Sequence, residues 1–262
     1  MDICCNKRVG MSTFLLTNDD GVLAEGLTAL REVVQAFGKV IVVAPMQEQS
    51  GKSHGITLHR PLRLQTMGDQ VYGVEGTPTD SVLLGLKCVL KDKPDWVLSG
   101  INAGGNLGND TLYSGTVAAA VEAAVQGARS IAFSLHGHRP YDFSAAKKVI
   151  EVLLSRLKSL PLGPRCCMNI NIPNIPYADI KGFRSTSLGR RLYDERIHER
   201  QDPRGRSYYW IGTGAPDSFT SIPGSDCDAV HEGYVSISML KVDYYDKKAT
   251  EDLATQVSGW KL

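Results

Sequence analysis

Apolar residues in the first part of the chain follow two spacings in turn. Short runs that are apolar at every position predict buried strands, and they lie at 14–16, 40–44, 96–98 and 131–133. Between these runs, apolar residues recur every three or four positions, as on one face of a helix, over 25–36, from Thr79 to Leu90, over 117–125 and over 143–158. Strands that are apolar on both faces are typical of a parallel sheet. The alternation of strand and helix therefore predicts a doubly wound α/β sheet.

After about residue 160 the pattern changes to shorter segments. Residues 167–172 are strand-like, and residues 180–213 alternate with glycine and proline in a way that predicts β-hairpins. The segment Asp202–Gly205 suits a hairpin tip. The aromatic segment Tyr208–Ile211 follows it, and we interpret this segment as an exposed oligomerisation arm, with packing on the main sheet as the alternative. Residues 235–239 predict a late strand.

Composition narrows the class of protein without indicating a reaction. The chain has 262 residues and a net charge of +1, so no general field attracts nucleic acid or an anionic membrane. No apolar run reaches the ~20 residues that a bilayer crossing needs. The six cysteines include no C-x-x-C pair, which favours reduced thiols and a cytoplasmic location. We expect one domain over 13–262, hairpin-rich from about 180 to 262, and a poorly ordered N-terminal arm over 1–12.

Two adjacent carboxylates, Asp19 and Asp20, follow the first predicted strand. In a desolvated pocket, two negative charges ~4 Å apart repel by on the order of 4 kcal/mol at an effective dielectric near 20. A divalent cation removes this cost, and oxygen ligands favour Mg²⁺, Mn²⁺ or Ca²⁺. Because side chains of a strand alternate between faces, the pair must lie on the turn, where Gly21 supplies backbone freedom. A solvated turn is the alternative, since Asn-Asp-Asp-Gly is common turn sequence.

Three polar loops follow predicted parallel strands. Besides the turn over 17–21, the loop with Ser50–Gly51 follows the second strand, and the Gly/Asn-rich loop 99–114 follows the strand at 96–98. Open α/β sheets bind ligands at the carboxyl ends of their strands, so the three loops form a candidate site. The third loop leads into Ser114–Thr116, which opens a helix. Hydroxyl and N–H groups at a helix N-terminus favour an anion such as phosphate, and Ser114 can cap the helix as well.

Several motifs of other enzymes are missing from the sequence. No G-x-x-x-x-G-K-[ST] occurs, so a P-loop ATPase is unsupported, and no G-x-S-x-G occurs, so an α/β-hydrolase serine is unsupported. Residues 100–105 do not form G-x-G-x-x-G, which argues against a dinucleotide-binding oxidoreductase. The histidines that could serve chemistry are scattered rather than at ligand spacing, namely His54, His59, His136 and His138. Of these, His136 and His138 follow a predicted strand and could overhang the site.

Five ordered segments resemble the signatures of the SurE (survival protein E) 5'/3'-nucleotidases. They are Thr17–Gly21, Val43–Pro45 leading to Gln49–Gly51, Gly76–Asp80, Ser99–Gly104 and Tyr113–Ala119. Their order and spacing also match, and the resemblance runs from about residue 13 into the C-terminal region, where it includes 202–205 and 232–236. It implies a Rossmann-like core and a C-terminal part that swaps between subunits of homodimers or homotetramers.

The resemblance also implies a set of site residues. One divalent metal per subunit, Mn²⁺ or Mg²⁺ with Ca²⁺ possible in crystals, is held by Asp19, Asp20, Ser50 and Asn102. The positions that match the family's phosphate pocket are Asn18, Gly51, Asn106, Ser114, Gly115 and Thr116. The implied reaction is hydrolysis of nucleoside 5'- and 3'-monophosphates, with short polyphosphate as a further substrate of some members. The implied partners are nucleoside monophosphates and further copies of the chain, with neither a nucleic acid polymer nor a membrane.

Three functional hypotheses follow. In a phosphatase, water activated by the metal would attack phosphorus in line, with Asp19 preferred over Asp20 as base and the helix end at Ser114 stabilising the equatorial oxygens. An aspartyl-phosphate intermediate is disfavoured, because phosphatases of the haloacid-dehalogenase type use D-x-D. A nucleotide-binding sensor would need the anion cradle alone, and the paired carboxylates argue against it. A nicotinamide-dependent oxidoreductase ranks third.

Overall fold

The structure is a computed structural model that describes residues 12–163, 165–193, 197–211, 218–258 and 260. The predicted N-terminal arm lies outside these residues except for Ser12, which begins the first strand. The helices are α1 (Glu25–Val34), α2 (Pro78–Leu84), α3 (Gly115–Val125), α4 (Phe143–Leu154), α5 (Asp226–His231) and α6 (Lys247–Val257). The strands of the first part are β1 (Ser12–Thr17), β2 (Gly38–Pro45), β3 (Leu64–Gly68), β4 (Val71–Val74), β5 (Trp96–Ala103), β6 (Ser130–His136) and β7 (Cys166–Pro173). Those of the second part are β8 (Phe183–Ser185), β9 (Arg190–Arg191), β10 (Ile197–Gln201), β11 (Ser207–Ile211), β12 (Phe219–Thr220) and β13 (Val235–Lys241).

The main sheet has the strand order β3-β4-β2-β1-β5-β6-β7-β13-β8. The strands from β4 to β7 in this order are parallel to one another, whereas β3 is antiparallel to β4 and β13 is antiparallel to β7. Helices cover both faces of the sheet. The predicted doubly wound, mostly parallel α/β fold is therefore confirmed.

Alternate residues of β1 show why the central strands are apolar throughout. Phe14 and Leu16 pack in one cluster with residues of α1 and α4, among them Leu30 and Val149. Leu15, between them in sequence, packs in a second cluster with residues of α2 and α3. Both faces of the strand are buried, so neither face can be polar.

The predicted hairpins over 180–213 are only partly present. β10 and β11 form an antiparallel hairpin, and Asp202 holds its tip by accepting hydrogen bonds from the N–H groups of Arg204 and Arg206. β8, in contrast, joins the main sheet parallel to β13, and β9 pairs with β12. A short segment takes the partner that the folded chain brings beside it, and its own sequence does not specify that partner.

The aromatic segment of β11 does not pack on the main sheet. β10 and β11 form a separate two-stranded sheet, in which Trp210 is 64% and Ile211 83% exposed. Helix α6 likewise buries none of its residues. Among the described residues, no helix combines the length and apolar character that crossing a bilayer requires.

Cysteine reactivity gives a first test of the described core. Cys88 is exposed, whereas Cys167 and Cys227 are buried free thiols, and burial raises the pKa of each of these two to about 12. Because the thiolate is the reactive form, we expect iodoacetamide to label Cys88 in the native protein and to spare Cys167 and Cys227. Peptide mass mapping would measure this, with urea-unfolded protein as the fully labelled control. Labelling of Cys227 as fast as Cys88 would contradict the described packing.

Candidate active site

The three polar loops converge on one cavity of about 930 Å³ at the carboxyl edge of the parallel strands. Seven of the predicted site residues line it, namely Asp19, Asp20, Ser50, Gly51, Asn102, Asn106 and Ser114. Three others, Asn18, Gly115 and Thr116, lie behind the cavity wall. Segments more than 90 residues apart in sequence therefore meet at the edge where open α/β sheets bind ligands.

The Asn18 side chain stabilises the turn after β1 and does not line the cavity. Its side chain is fully buried, its amide donates to the Gly21 carbonyl at 2.9 Å, and its Oδ1 accepts from the Gly21 N–H at 3.3 Å. Gly21 has φ +107°, a conformation that favours glycine. In this structure the Asn18 side chain does not line the cavity, and its predicted contact with phosphate stays a prediction. The side chain instead fixes the turn that directs Asp19 and Asp20 into the cavity.

The N-terminus of α3 holds Asp19. The Thr116 hydroxyl donates to Asp19 Oδ1, and the backbone of Gly115 and Thr116 lies close enough to this carboxylate to favour its charged form. These contacts lower its pKa, but the burial of a residue that is only 4% exposed is the larger effect and raises the pKa above its usual value. The charged form is therefore held in place at an energetic cost.

This contact involves two of the three residues of the predicted phosphate cradle over 114–116, whose role in phosphate binding stays a prediction. Thr116 binds Asp19 and Gly115 lies against it, because the turn after β1 brings this carboxylate to the positive end of the helix dipole. Ser114 alone of the three lines the cavity, and its Oγ accepts from the Val117 N–H at 3.0 Å, as expected of a helix cap. The anion at this helix end is thus part of the protein itself.

Asp20 lies beside Asp19 with less burial. Its Oδ2 accepts from the Ala103 N–H at 3.2 Å. Burial first, and then the negative charge of Asp19, raise the pKa of Asp20 to about 6, while the positive charge of Arg139 acts in the opposite direction. The two carboxylates therefore disfavour each other's charge, and a cation bound between them would relieve this repulsion.

Ser50 and Asn102 add neutral oxygens to this carboxylate pair. Ser50 Oγ donates to Glu48 Oε1 at 2.8 Å, and Asn102 Nδ2 donates to the Gly104 carbonyl at 2.8 Å, which leaves Asn102 Oδ1 as an acceptor. Strand β5 extends through Asn102 to Ala103, and its register with β6 shifts between Ser99 and Asn102, an irregularity of the kind that re-aims side chains. The start of the predicted loop 99–114 is thus strand.

The donor set fits a hard divalent cation. It consists of two carboxylates, a hydroxyl and an amide oxygen, the ligand types that Mg²⁺, Mn²⁺ and Ca²⁺ prefer. Within the described ranges, no group of three or more His, Cys, Asp and Glu side chains could hold a metal. A metal at Asp19 and Asp20 would therefore need ligands of other types, and Ser50 and Asn102 line the same cavity with oxygens that could serve.

Asn106 is fixed by polar residues that the sequence analysis missed. Its backbone N–H donates to Asn171 Oδ1 at 2.8 Å, and its side-chain amide donates to Ser134 Oγ at 2.8 Å. The side-chain amides of Asn169 and Asn171 donate to the backbone carbonyl of Asn106 at 2.8 and 3.0 Å. The sequence contains a pattern that could have indicated this role, because Asn169 and Asn171 are polar residues at alternate positions of the otherwise apolar β7. This network ties the glycine-rich loop to the sheet.

Other cavity residues were also missed. They include Glu48, Asp110, Tyr113, Arg139, Tyr141, Phe143 and Tyr193. The Tyr193 hydroxyl donates to Asp110 across 83 positions of sequence, so the C-terminal part of the chain contributes to one wall. The four histidines considered above all lie in the described part of the chain, and none of them lines the cavity.

Comparisons with known proteins show which family the chain is similar to. The family described as "Survival protein SurE" matches residues 14–195. The protein named 5'-nucleotidase SurE from Alkalilimnicola ehrlichii is 43% identical over 249 residues, which are 95% of this chain and 96% of that protein. The protein of the same name from Anaeromyxobacter dehalogenans (strain 2CP-C) is 50% identical over 231 residues, 87% of this chain and 89% of that protein.

A solved structure extends the likeness to the fold. The crystal structure of the SurE protein from Aquifex aeolicus has a TM-score of 0.83 and 40% sequence identity to this chain, and the match covers 93% of this chain and 99% of that one. The family match spans more than half of the chain, and the identities hold over nearly all of it. The chain belongs to the SurE family of survival proteins.

Proposed function

We propose that this protein hydrolyses nucleoside 5'-monophosphates to nucleoside and phosphate, with a divalent metal as cofactor. One observation carries the proposal: the paired carboxylates of Asp19 and Asp20 converge with Ser50 and Asn102 in one cavity at the sheet edge. The names of relatives that are 43% and 50% identical support the substrate class. Hydrolysis of 3'-monophosphates and of short polyphosphate is the broader form of the same proposal.

The metal is one Mn²⁺ or Mg²⁺ per subunit, held by Asp19, Asp20, Ser50 and Asn102. When bound, it supplies charge neutralisation for the phosphate and activation of the attacking water. Thr116 and the first turn of α3 keep the Asp19 carboxylate aimed into the cavity. Asn106 and Ser114 lie where donors could meet phosphate oxygens, and Asp19 stays the preferred base.

The size and lining of the cavity favour a nucleotide over a bare phosphate. A volume of about 930 Å³ is within the range of sites for small organic ligands. Tyr113, Tyr141, Phe143 and Tyr193 provide aromatic surface on which a base could stack, and Arg139 provides a positive charge. Phosphate alone would need none of this aromatic surface.

Assembly into homodimers or homotetramers belongs to the same proposal. The hairpin β10–β11 exposes Ile197, Tyr209, Trp210 and Ile211, and the segment around α6 exposes Leu253 and Trp260. Exposed apolar groups of this size are typical of surfaces that bind another protein. The hairpin and α6 are therefore the proposed contacts between subunits.

Phosphate release with and without metal tests the proposed function. The protein would be stripped with chelator, returned to Mn²⁺ or Mg²⁺, and assayed with 5'- and 3'-nucleoside monophosphates and tripolyphosphate. We expect turnover of 5'-monophosphates only after metal is restored, because two uncompensated carboxylates repel a phosphate dianion. Folded protein that binds nucleotide tightly and releases no phosphate with either metal would instead support a nucleotide-binding sensor.

A further inference from the structure

Ser50 and Gly51, at the tip of the loop after β2, have little packing of their own. Ser50 is exposed, and within the described part of the chain no atom beyond the neighbours of Gly51 lies within 4 Å of the position that a side chain at Gly51 would occupy. The Ser50 hydroxyl donates to Glu48, which is also exposed. The residue before Ser50 is fixed, since the Gln49 N–H donates to the Asp19 carbonyl at 2.8 Å, so the contacts that hold the other side of Ser50 lie further along the chain.

Two residues beyond Gly51, the loop is joined to the α3 region. The Ser53 N–H donates to the Tyr113 carbonyl at 3.1 Å, and the Ser53 hydroxyl donates to the Leu112 carbonyl at 2.6 Å. The next residue, His54, places Nε2 2.8 Å from Glu122 Oε2. These contacts connect the loop after β2 with the segment that precedes α3 and with the third turn of that helix.

Glu122 is an unusual residue for its position. It is 7% exposed and lies on a helix whose other buried residues are small or apolar. A buried carboxylate is costly unless it is paired and hydrogen-bonded. Its side-chain partners are His54 from the loop and Gln126, which donates to Oε1 at 2.8 Å from within the same chain segment. Of these two contacts, only the one to His54 crosses to the loop.

We propose that His54 and Glu122 are positioning residues that fasten the Ser50 loop to α3 and so set the geometry of the metal centre. This inference rests on the proposed function. Helix α3 holds Asp19 at its first turn through Thr116 and holds His54 at its third turn through Glu122. One rigid helix thereby brings the metal donors after β1 and β2 into register. Neither His54 nor Glu122 lines the cavity, so they act through Ser50.

Mn²⁺ binding and hydrogen exchange in the full-length protein test the inference. Residues that orient metal ligands typically change metal affinity by about 10- to 100-fold when removed. We expect His54→Ala to weaken Mn²⁺ binding, measured by electron paramagnetic resonance, by about 10-fold within that range. Amide exchange over residues 50–57, measured by mass spectrometry, should become faster. His54→Gln, which retains a side-chain N–H donor for Glu122, should restore part of both properties.

Gln126→Ala is the matched control, because it removes a hydrogen bond from the same carboxylate without touching the loop. We expect it to lower thermal stability as His54→Ala does while Mn²⁺ affinity and exchange over 50–57 stay at wild-type values. Equal Mn²⁺ affinity in His54→Ala and wild type, or an equal loss in Gln126→Ala, would overturn the inference. Wild-type protein that neither binds Mn²⁺ nor releases phosphate would contradict the proposed function. In that case, amide exchange over residues 50–57 in His54→Ala would still show whether His54 and Glu122 fasten the loop.

Discussion

Asp19→Asn is expected to lower kcat/KM for nucleoside 5'-monophosphates by roughly 1,000-fold or more, the scale of losing a group that stabilises transition-state charge. The asparagine keeps the size of the side chain and an oxygen that can accept from Thr116, so the turn should keep its shape. What it loses is the negative charge that a divalent cation requires. Steady-state phosphate release at saturating Mn²⁺ measures the loss of activity, and a Mn²⁺ titration measures the loss of metal affinity.

The same substitution should not destabilise the metal-free protein. Burial raises the pKa of Asp19 in the folded state, so the folded state holds its proton more tightly than the unfolded state does. The stability contributed by this group is therefore present at low pH and is lost as the pH rises through the raised pKa. At neutral pH the charged carboxylate opposes folding, and Asp19→Asn removes that cost.

Thermal melting in chelator separates these effects. We expect the Tm of Asp19→Asn at neutral pH to equal or exceed that of the wild type, and the difference to shrink on acidification, when the wild-type carboxyl becomes protonated. A strongly lowered Tm at neutral pH would attribute the loss of activity to misfolding instead. Asp20→Asn is the companion variant, since the pKa of Asp20 is raised to about 6 by the same burial and by its neighbour's charge.

Gly115→Ala is expected to lower kcat/KM by about 100-fold, the scale associated with a misplacement of about 1 Å at a reacting centre. A methyl group at position 115 would lie 2.8 Å from Asp19 Cβ and 3.0 Å from Asp19 Oδ2, closer than nonbonded carbon atoms approach. Asp19 or the start of α3 must therefore move. Phosphate-release kinetics and Mn²⁺ affinity would both report this displacement.

Stability should change little in Gly115→Ala, because alanine is the better helix former and offsets part of the strain. Gly163→Ala is the matched control, since among the described residues beyond its chain neighbours no atom lies within 4 Å of the methyl group that it would add. Wild-type kinetics in Gly115→Ala would show that Asp19 is not held against the first turn of α3. Reduced kinetics in Gly163→Ala would show instead that the assay responds to any glycine substitution.

Local patterns in the sequence were sufficient for the central sheet. Strand β1 and helix α1 were predictable from their apolar residues. The strand is buried on both faces and is therefore apolar at successive positions, whereas the helix is buried on one face and has apolar residues every three or four positions. The order of elements then placed the loops at Asp19, Ser50 and Asn102 at one sheet edge, because parallel strands end on the same side. Recognition of the family signatures added the particular metal ligands to this edge, and these assignments stay predictions.

Contacts between distant segments were decided by the tertiary structure alone. No local pattern shows that Thr116 binds Asp19, 97 residues away, or that Tyr193 reaches Asp110. Helices α5 and α6 and the pairing of β8 with β13 were likewise not predicted. Hydrogen bonds and ion pairs of this kind depend on which surfaces the folded backbone brings together, whereas periodicity records only whether a residue faces inward or outward. The residue types of the site can therefore be predicted from the sequence, but the contact between Asp19 and the N-terminus of α3 forms only in the folded protein.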